Sequence, residues 1–132
     1  MAIDAISMDE YVFVSETDTG EPKTKFYMKP MLDFEYLTYS GKFAEVTDSM
    51  SLEDEGKLMK FFSGEHGEDF KSLLIKFINE KVAKIENIKV KGEYKTFKNG
   101  EFNVGIINLT TCMEILADAV SRVFISEEEE KN

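Results

Sequence analysis

After Gly67 the residues Phe70, Leu73, Leu74, Phe77, Ile78, Lys81, Val82 and Ile85 fall at helical spacing, while Glu68, Asp69, Lys71, Lys76 and Glu80 lie mostly on the other side. A stripe of that period is what a helix needs to bury one face and wet the other. The segment therefore predicts one amphipathic helix whose apolar face is broad enough for a core, the other role open to it being a partner groove.

Tyr11 to Ser15 and Lys23 to Lys29 are rich in aromatic and β-branched residues, and the turn formers Thr17-Asp18-Thr19-Gly20-Glu21-Pro22 lie between them. This pattern predicts a β-hairpin, with Val12 and Val14 on one face of the first strand and Phe26 and Met28 sharing a face of the second. Pro30 stops that strand, and Met31 to Tyr39 predicts a short helix. Gly41 to Met50 reads as a loop or poor strand. Ser51 and Asp54 approximate a capping box for a further helix with Leu52, Leu58, Met59 and Phe62 as its stripe. Ile88, Val90, Gly92 and Tyr94 alternate as in a strand over Ile88 to Phe97, and Lys98-Asn99-Gly100 predicts a turn into Phe102 to Ile107. Asn108 or Thr111 can cap a final helix whose stripe is Leu109, Cys112, Met113, Leu116, Ala119, Val120, Val123 and Phe124, ending near Ile125. The expected fold is α+β: an N-terminal β-hairpin, about three to four helices, a second short hairpin and a C-terminal amphipathic helix. One globular domain is expected over 1–125, followed by an acidic polar tail at 126–132.

A chain of 132 residues with 42% hydrophobic residues, including 11 Phe and 5 Tyr, can bury a core of its own. Its 26 acidic and 16 basic side chains leave a net charge of −10, which repels nucleic acid phosphates and anionic lipid. Direct nucleic acid binding and membrane binding are thus disfavoured. No apolar run approaches the roughly 18 residues of a membrane span. Met1 to Glu10 lacks the cationic start of a signal peptide. The single Cys112 permits neither an internal disulfide nor a multi-thiolate zinc site and suits a reducing cytoplasm.

Chemistry is sparse. His66 is the one residue able unaided to exchange protons near neutral pH, and it sits between Gly64 and Gly67 in an expected exposed turn. Cys112 falls on the inner face of the last helix, where burial raises a thiol pKa, and a thiolate nucleophile would need His66 brought alongside. Gly41-Lys42-Phe43 and Gly56-Lys57-Leu58 lack the hydroxyl and the glycine loop of a phosphate cradle. A calcium loop set on Gly20 leaves Ser15, Thr17 and Thr19 where carboxylates are required and Phe26 where the bidentate Glu belongs. No catalytic residue, metal ligand or cofactor is expected, and the protein is expected not to be an enzyme. Asn108-Leu109-Thr110 matches a glycosylation acceptor only formally.

Three stretches resemble, in order and spacing, the tail assembly chaperones of long-tailed bacteriophages. They are Phe13-Val14-Ser15 followed by Asp18-Thr19-Gly20-Glu21-Pro22-Lys23-Thr24; Phe26-Tyr27-Met28-Lys29-Pro30-Met31 with Phe34-Glu35-Tyr36-Leu37; and Ser126-Glu127-Glu128-Glu129-Glu130-Lys131-Asn132. They cover about a third of the chain, and Ser40 to Lys95 is not part of the match. The resemblance implies a protein of the host cytoplasm that holds the tape measure protein soluble until tail tube subunits replace it, with association between its own copies left open. Members of that family are often extended by a programmed ribosomal slip of one base. Glu130-Lys131-Asn132 can be encoded by GAA-AAA-AAC, which contains a run suited to such slippage; equally, the tripeptide is simply a solvated tail.

The expected contact surface is the last helix, through Leu109, Met113, Leu116, Val120 and Phe124, with Glu127, Glu128, Glu129 and Glu130 supplying charge. The other role open to that stripe is core. Three competing functions remain: an acidic mimic of DNA that inhibits a host defence nuclease, a small enzyme, or a structural piece of the virion. Mimicry requires carboxylates spaced like phosphates along one face, whereas here basic residues are interspersed among the acids.

Overall fold

The structure, a computed structural model, describes residues 8–39 and 67–131, with side chains described as far as Val123. Strand β1 (Tyr11–Phe13) and strand β2 (Lys25–Met28) are followed by helix α1 over 33–39. Helix α2 (Gly67–Lys81) runs directly into strand β3 (Val82–Val90), which turns into β4 (Glu93–Lys98). A 3-10 turn (Val104–Ile106) leads to helix α3 (Leu109–Lys131). The strands form one antiparallel sheet in the order β1-β2-β3-β4. The helix expected from Ser51, the loop at 41–50 and His66 lie outside the described residues.

One apolar row crosses the whole sheet. Phe13 stands opposite Phe26, Phe26 opposite Ile85, and Ile85 opposite Phe97. The Phe13 and Phe26 rings meet at 6.1 Å between centroids. Against this inner face α2 lays Phe70, Leu74, Phe77 and Ile78, and α3 lays Met113, Ile115, Leu116 and Ala119, all in one buried cluster. Because strand side chains alternate, the same register turns Val12 to solvent, so Tyr11 and Phe13 rather than the valines face inward on β1.

Three expectations are corrected. The helical stripe ends at Lys81, and its last two members, Val82 and Ile85, are buried in a strand. The chain leaves the helix because the Lys81 carbonyl accepts the Lys29 N–H at 2.7 Å, and Met28 then pairs with Val82. The second hairpin turns at Lys91-Gly92, where φ is 51° and 83°, and Val90 pairs with Glu93 across it. Two successive positive φ values suit the right-handed twist of a tight two-residue hairpin. Asn99-Gly100 instead ends β4: the Asn99 side-chain amide donates to the carbonyls of Asn79 and Val82, and its N–H to that of Ala83. Residues 104–106 therefore form a 3-10 turn capped by Asn103 and not a returning strand. Finally, α3 does not stop near Ile125 but continues through the glutamates to Lys131, since Glu is a good helix former and nothing in 126–131 breaks the helix. Among the described residues no helix is long and apolar enough to cross a membrane.

Helix α1 is fastened where α2 becomes β3. The buried Lys81 side chain pairs with Glu35 and donates to the Pro30 carbonyl at 3.3 Å, and Glu35 also accepts the Leu32 N–H at 3.0 Å. Burial alone would push the Glu35 carboxyl up, but the Lys81 ammonium and the Leu32 N–H outweigh it and hold the pKa below the ordinary 4.5. A depressed folded-state pKa adds stability above the unfolded value, and that stability is lost as pH falls through the lower folded value. Lys81→Ala should cost about 2 kcal/mol at neutral pH, because it strands a carboxylate that is only partly exposed and frees a carbonyl. In urea titrations the loss of stability below about pH 4.5 should be shallower for this variant than for the wild type.

Candidate partner-binding surfaces

Of the surface expected on the last helix, the described part turns Met113 and Leu116 into the core. Met113 is 0% and Leu116 2% exposed, and Leu109 and Val120 are half-buried against the same core. Phe124, Glu127, Glu128, Glu129 and Glu130 continue the helix, but their side chains lie outside the described residues. The start of α3 explains why its stripe faces inward. Asn108 provides the cap, accepting the Thr111 N–H at 2.8 Å, while Glu114 accepts the Ser15 hydroxyl at 2.9 Å instead of closing a capping box. The helix is thereby tied to the loop after β1. Farther along, Arg122 lies 3.9 Å from the centre of the Tyr11 ring and pairs with Asp118 at 2.7 Å.

Between that loop and the start of α3 lies a cavity of about 260 Å³, lined in part by Ser15, Asp18, Thr24, Asn108 and Thr111. Its polar groups are committed to the fold. Ser15 binds Glu114 and Thr17, Asp18 accepts the N–H groups of Gly20 and Thr24, and the Thr24 hydroxyl donates to the Asn87 carbonyl. Those two N–H groups, partly opposed by burial and reinforced by Lys23, lower the Asp18 pKa. The carboxylate therefore stays charged and works as a turn clamp.

Two groups that could act as nucleophiles, Cys112 and Tyr11, are held protonated. Cys112 is buried, with its sulfur 3.9 Å from the Ile107 carbonyl, and burial pushes its thiol up to about 12. Burial, then the Asp118 carboxylate, pushes the Tyr11 hydroxyl up to about 12 against the pull of Arg122. Among the described residues no group of three or more His, Cys, Asp or Glu could hold a metal ion.

Among the described residues the most exposed large apolar side chain is on α1. Phe34 is 86% and Leu37 66% accessible, one helical turn apart, whereas Tyr39 on the other side is 6% accessible and meets the Phe77 ring edge-on at 5.5 Å. Two large apolar side chains are thus held out on a helix that is itself pinned by Glu35, Tyr39 and Lys81. The sequence pattern missed them because seven residues carry barely two turns of periodicity. The usable signal was Tyr36 and Tyr39 three apart with Glu35 beside them, which leaves 34 and 37 on the opposite side.

A thiol reagent added to native protein should modify Cys112 at least about a hundredfold more slowly than in denaturant, since the protonated, enclosed thiol must first be uncovered. Mass spectrometry of quenched time points measures this. Modification at the denatured rate would show that the core does not enclose the thiol. Comparison of the chain with protein-family models, with curated proteins and with solved structures finds no match.

Proposed function

We propose that the protein is a non-catalytic tail assembly chaperone of the phage type, which binds the tape measure protein and keeps it soluble in the host cytoplasm until tail tube subunits take over. The observation that carries this proposal is the pair Phe34 and Leu37, exposed on a helix that the core holds in place. Both belong to the second stretch that resembles the tail assembly chaperones. The client contact is accordingly assigned to α1 in preference to α3, where Met113 and Leu116 belong to the core. An amphipathic client helix presents an apolar stripe of matching width, and an i, i+3 pair can seat in it.

Full burial of two such side chains supplies roughly 3–6 kcal/mol, most of which is consumed by the cost of association. One copy therefore binds weakly. Weak single contacts suit a protein that must later be displaced, and many copies along one long client multiply them into a stable coat. The net charge of −10 keeps such a coat dispersed. Against the nuclease-inhibiting DNA mimic stands the sheet surface away from the helices, which carries Lys25, Lys84, Lys89 and Lys98.

Co-expression with a tape measure protein tests the proposal. The wild type should keep the client in the soluble fraction. Phe34→Asp/Leu37→Asp should reduce the soluble client at least about fivefold while its own melting temperature stays within a few degrees, because both positions are exposed. A client that is insoluble with the wild type, or equally soluble with the double variant, would overturn the assignment. Capture of a nuclease at low salt and its release at high salt would favour the mimic instead.

A further inference from the structure

The sheet has a second face. The pairing that turns Phe13, Phe26, Ile85 and Phe97 inward turns Val12, Lys25, Tyr27, Lys84, Lys89, Tyr94 and Lys98 outward. Val12 and Tyr94 are 44% and 45% accessible, and Lys25, Lys89 and Lys98 are exposed. In a chain of net charge −10, the described strand residues of this face include four lysines and one acid, Glu86, with the Glu101 carboxylate on the Lys98 N–H at the end of β4. Lys84 and Lys98 are direct cross-strand partners, and such like charges repel unless an anion shares them. Among the described residues only Lys84 of the four forms an ion pair, with Glu86 at 3.3 Å.

The tyrosines distinguish between anions. Lys84 lies 5.0 Å from the centre of the Tyr27 ring and Lys89 5.7 Å from that of Tyr94, and the Tyr27 hydroxyl donates to Glu86. Rings already engaged by ammonium groups offer no open platform for stacked bases. A long polyanion would also run beyond the basic face into the acidic remainder of the molecule. The face suits a short run of carboxylates.

The chain carries one. Glu127 to Glu130 places four consecutive acids on α3. Within one molecule the described part of α3 packs through Met113 and Leu116 on the inner face, the side away from the lysines. We infer that the outer face of the sheet docks the Glu127–Glu130 run of a second copy. Each copy then offers one face and one run, a head-to-tail contact that propagates into a ring or an open string. The contact depends on neither the tape measure protein nor Phe34 and Leu37.

Salt dependence follows from the two ranges of the electrostatics. At about 0.15 M ionic strength the Debye length is about 8 Å, so the −10 bodies no longer repel at a distance while close Lys–Glu pairs survive. At about 1 M the length is about 3 Å and the pairs weaken as well. Sedimentation velocity of the full chain should therefore show mass rising with concentration near physiological salt, and self-association at least about tenfold weaker near 1 M. Lys89→Glu/Lys98→Glu and Glu128→Lys/Glu129→Lys should each be monomeric with native circular dichroism, and an equimolar mixture of the two should associate again. A wild type that stays monomeric up to millimolar concentration, either variant associating like the wild type, or a mixture that stays monomeric would overturn the inference. Retention of a single-stranded oligonucleotide by a monomeric wild type, lost in Lys89→Glu/Lys98→Glu, would also overturn it and give the face to nucleic acid.

Discussion

The roll of α1 and the register of β2 on β3 are set at one junction. At Lys81 a helix ends and a strand begins with no loop between them, and the same residue holds β2 through its carbonyl and α1 through its ammonium. Four elements meet there. The ion pair to Glu35, together with Tyr39 against Phe77, fixes the roll of α1 and so the direction of Phe34 and Leu37. Without the hydrogen bond to Lys29, Met28 would lose its register with Val82, and with it the order of the apolar row. A buried lysine is costly, but here its charge is matched, and its remaining protons reach the Pro30 carbonyl.

That junction also explains how far the sequence could be read. The spacing from Phe70 to Ile78 identified α2 correctly, and Val82 and Ile85 were correctly marked as buried, yet they were assigned to a helix. Both residues satisfy a helical period, and both are β-branched; pairing with β2, some fifty residues earlier in the chain, decides between the two. The turns were confused for a related reason. Asn99-Gly100 carries the stronger hairpin signature, but its side chain is spent on closing the end of α2, while Lys91-Gly92 makes the turn with a lysine at positive φ. The apolar stripe of α3 was legible as a stripe. Its partner was not, because the same residues serve equally as core or as contact surface. The basic sheet face was hidden for a simpler reason: a net charge sums over all directions, and only the register sorts the lysines from the acids.

The two surfaces have opposite chemistry and separate supports. The apolar pair stands on a short helix tied to the α2–β3 junction, and the lysines stand on the sheet. A substitution on one therefore leaves the scaffold of the other intact. The committed hydroxyls and carboxylates around Ser15 and Asp18 form a joint that locks the β1 loop to α3, so the polar cavity there belongs to the architecture.

The apolar row across the sheet sets an order of events for a newly made chain. β3 and β4 are joined by two residues and can pair as soon as both exist, whereas Phe26 must wait for Ile85. Until β3 has been synthesised, Phe13, Phe26 and Met28 have no sheet to join and remain uncovered, leaving the nascent N-terminal hairpin itself open to aggregation.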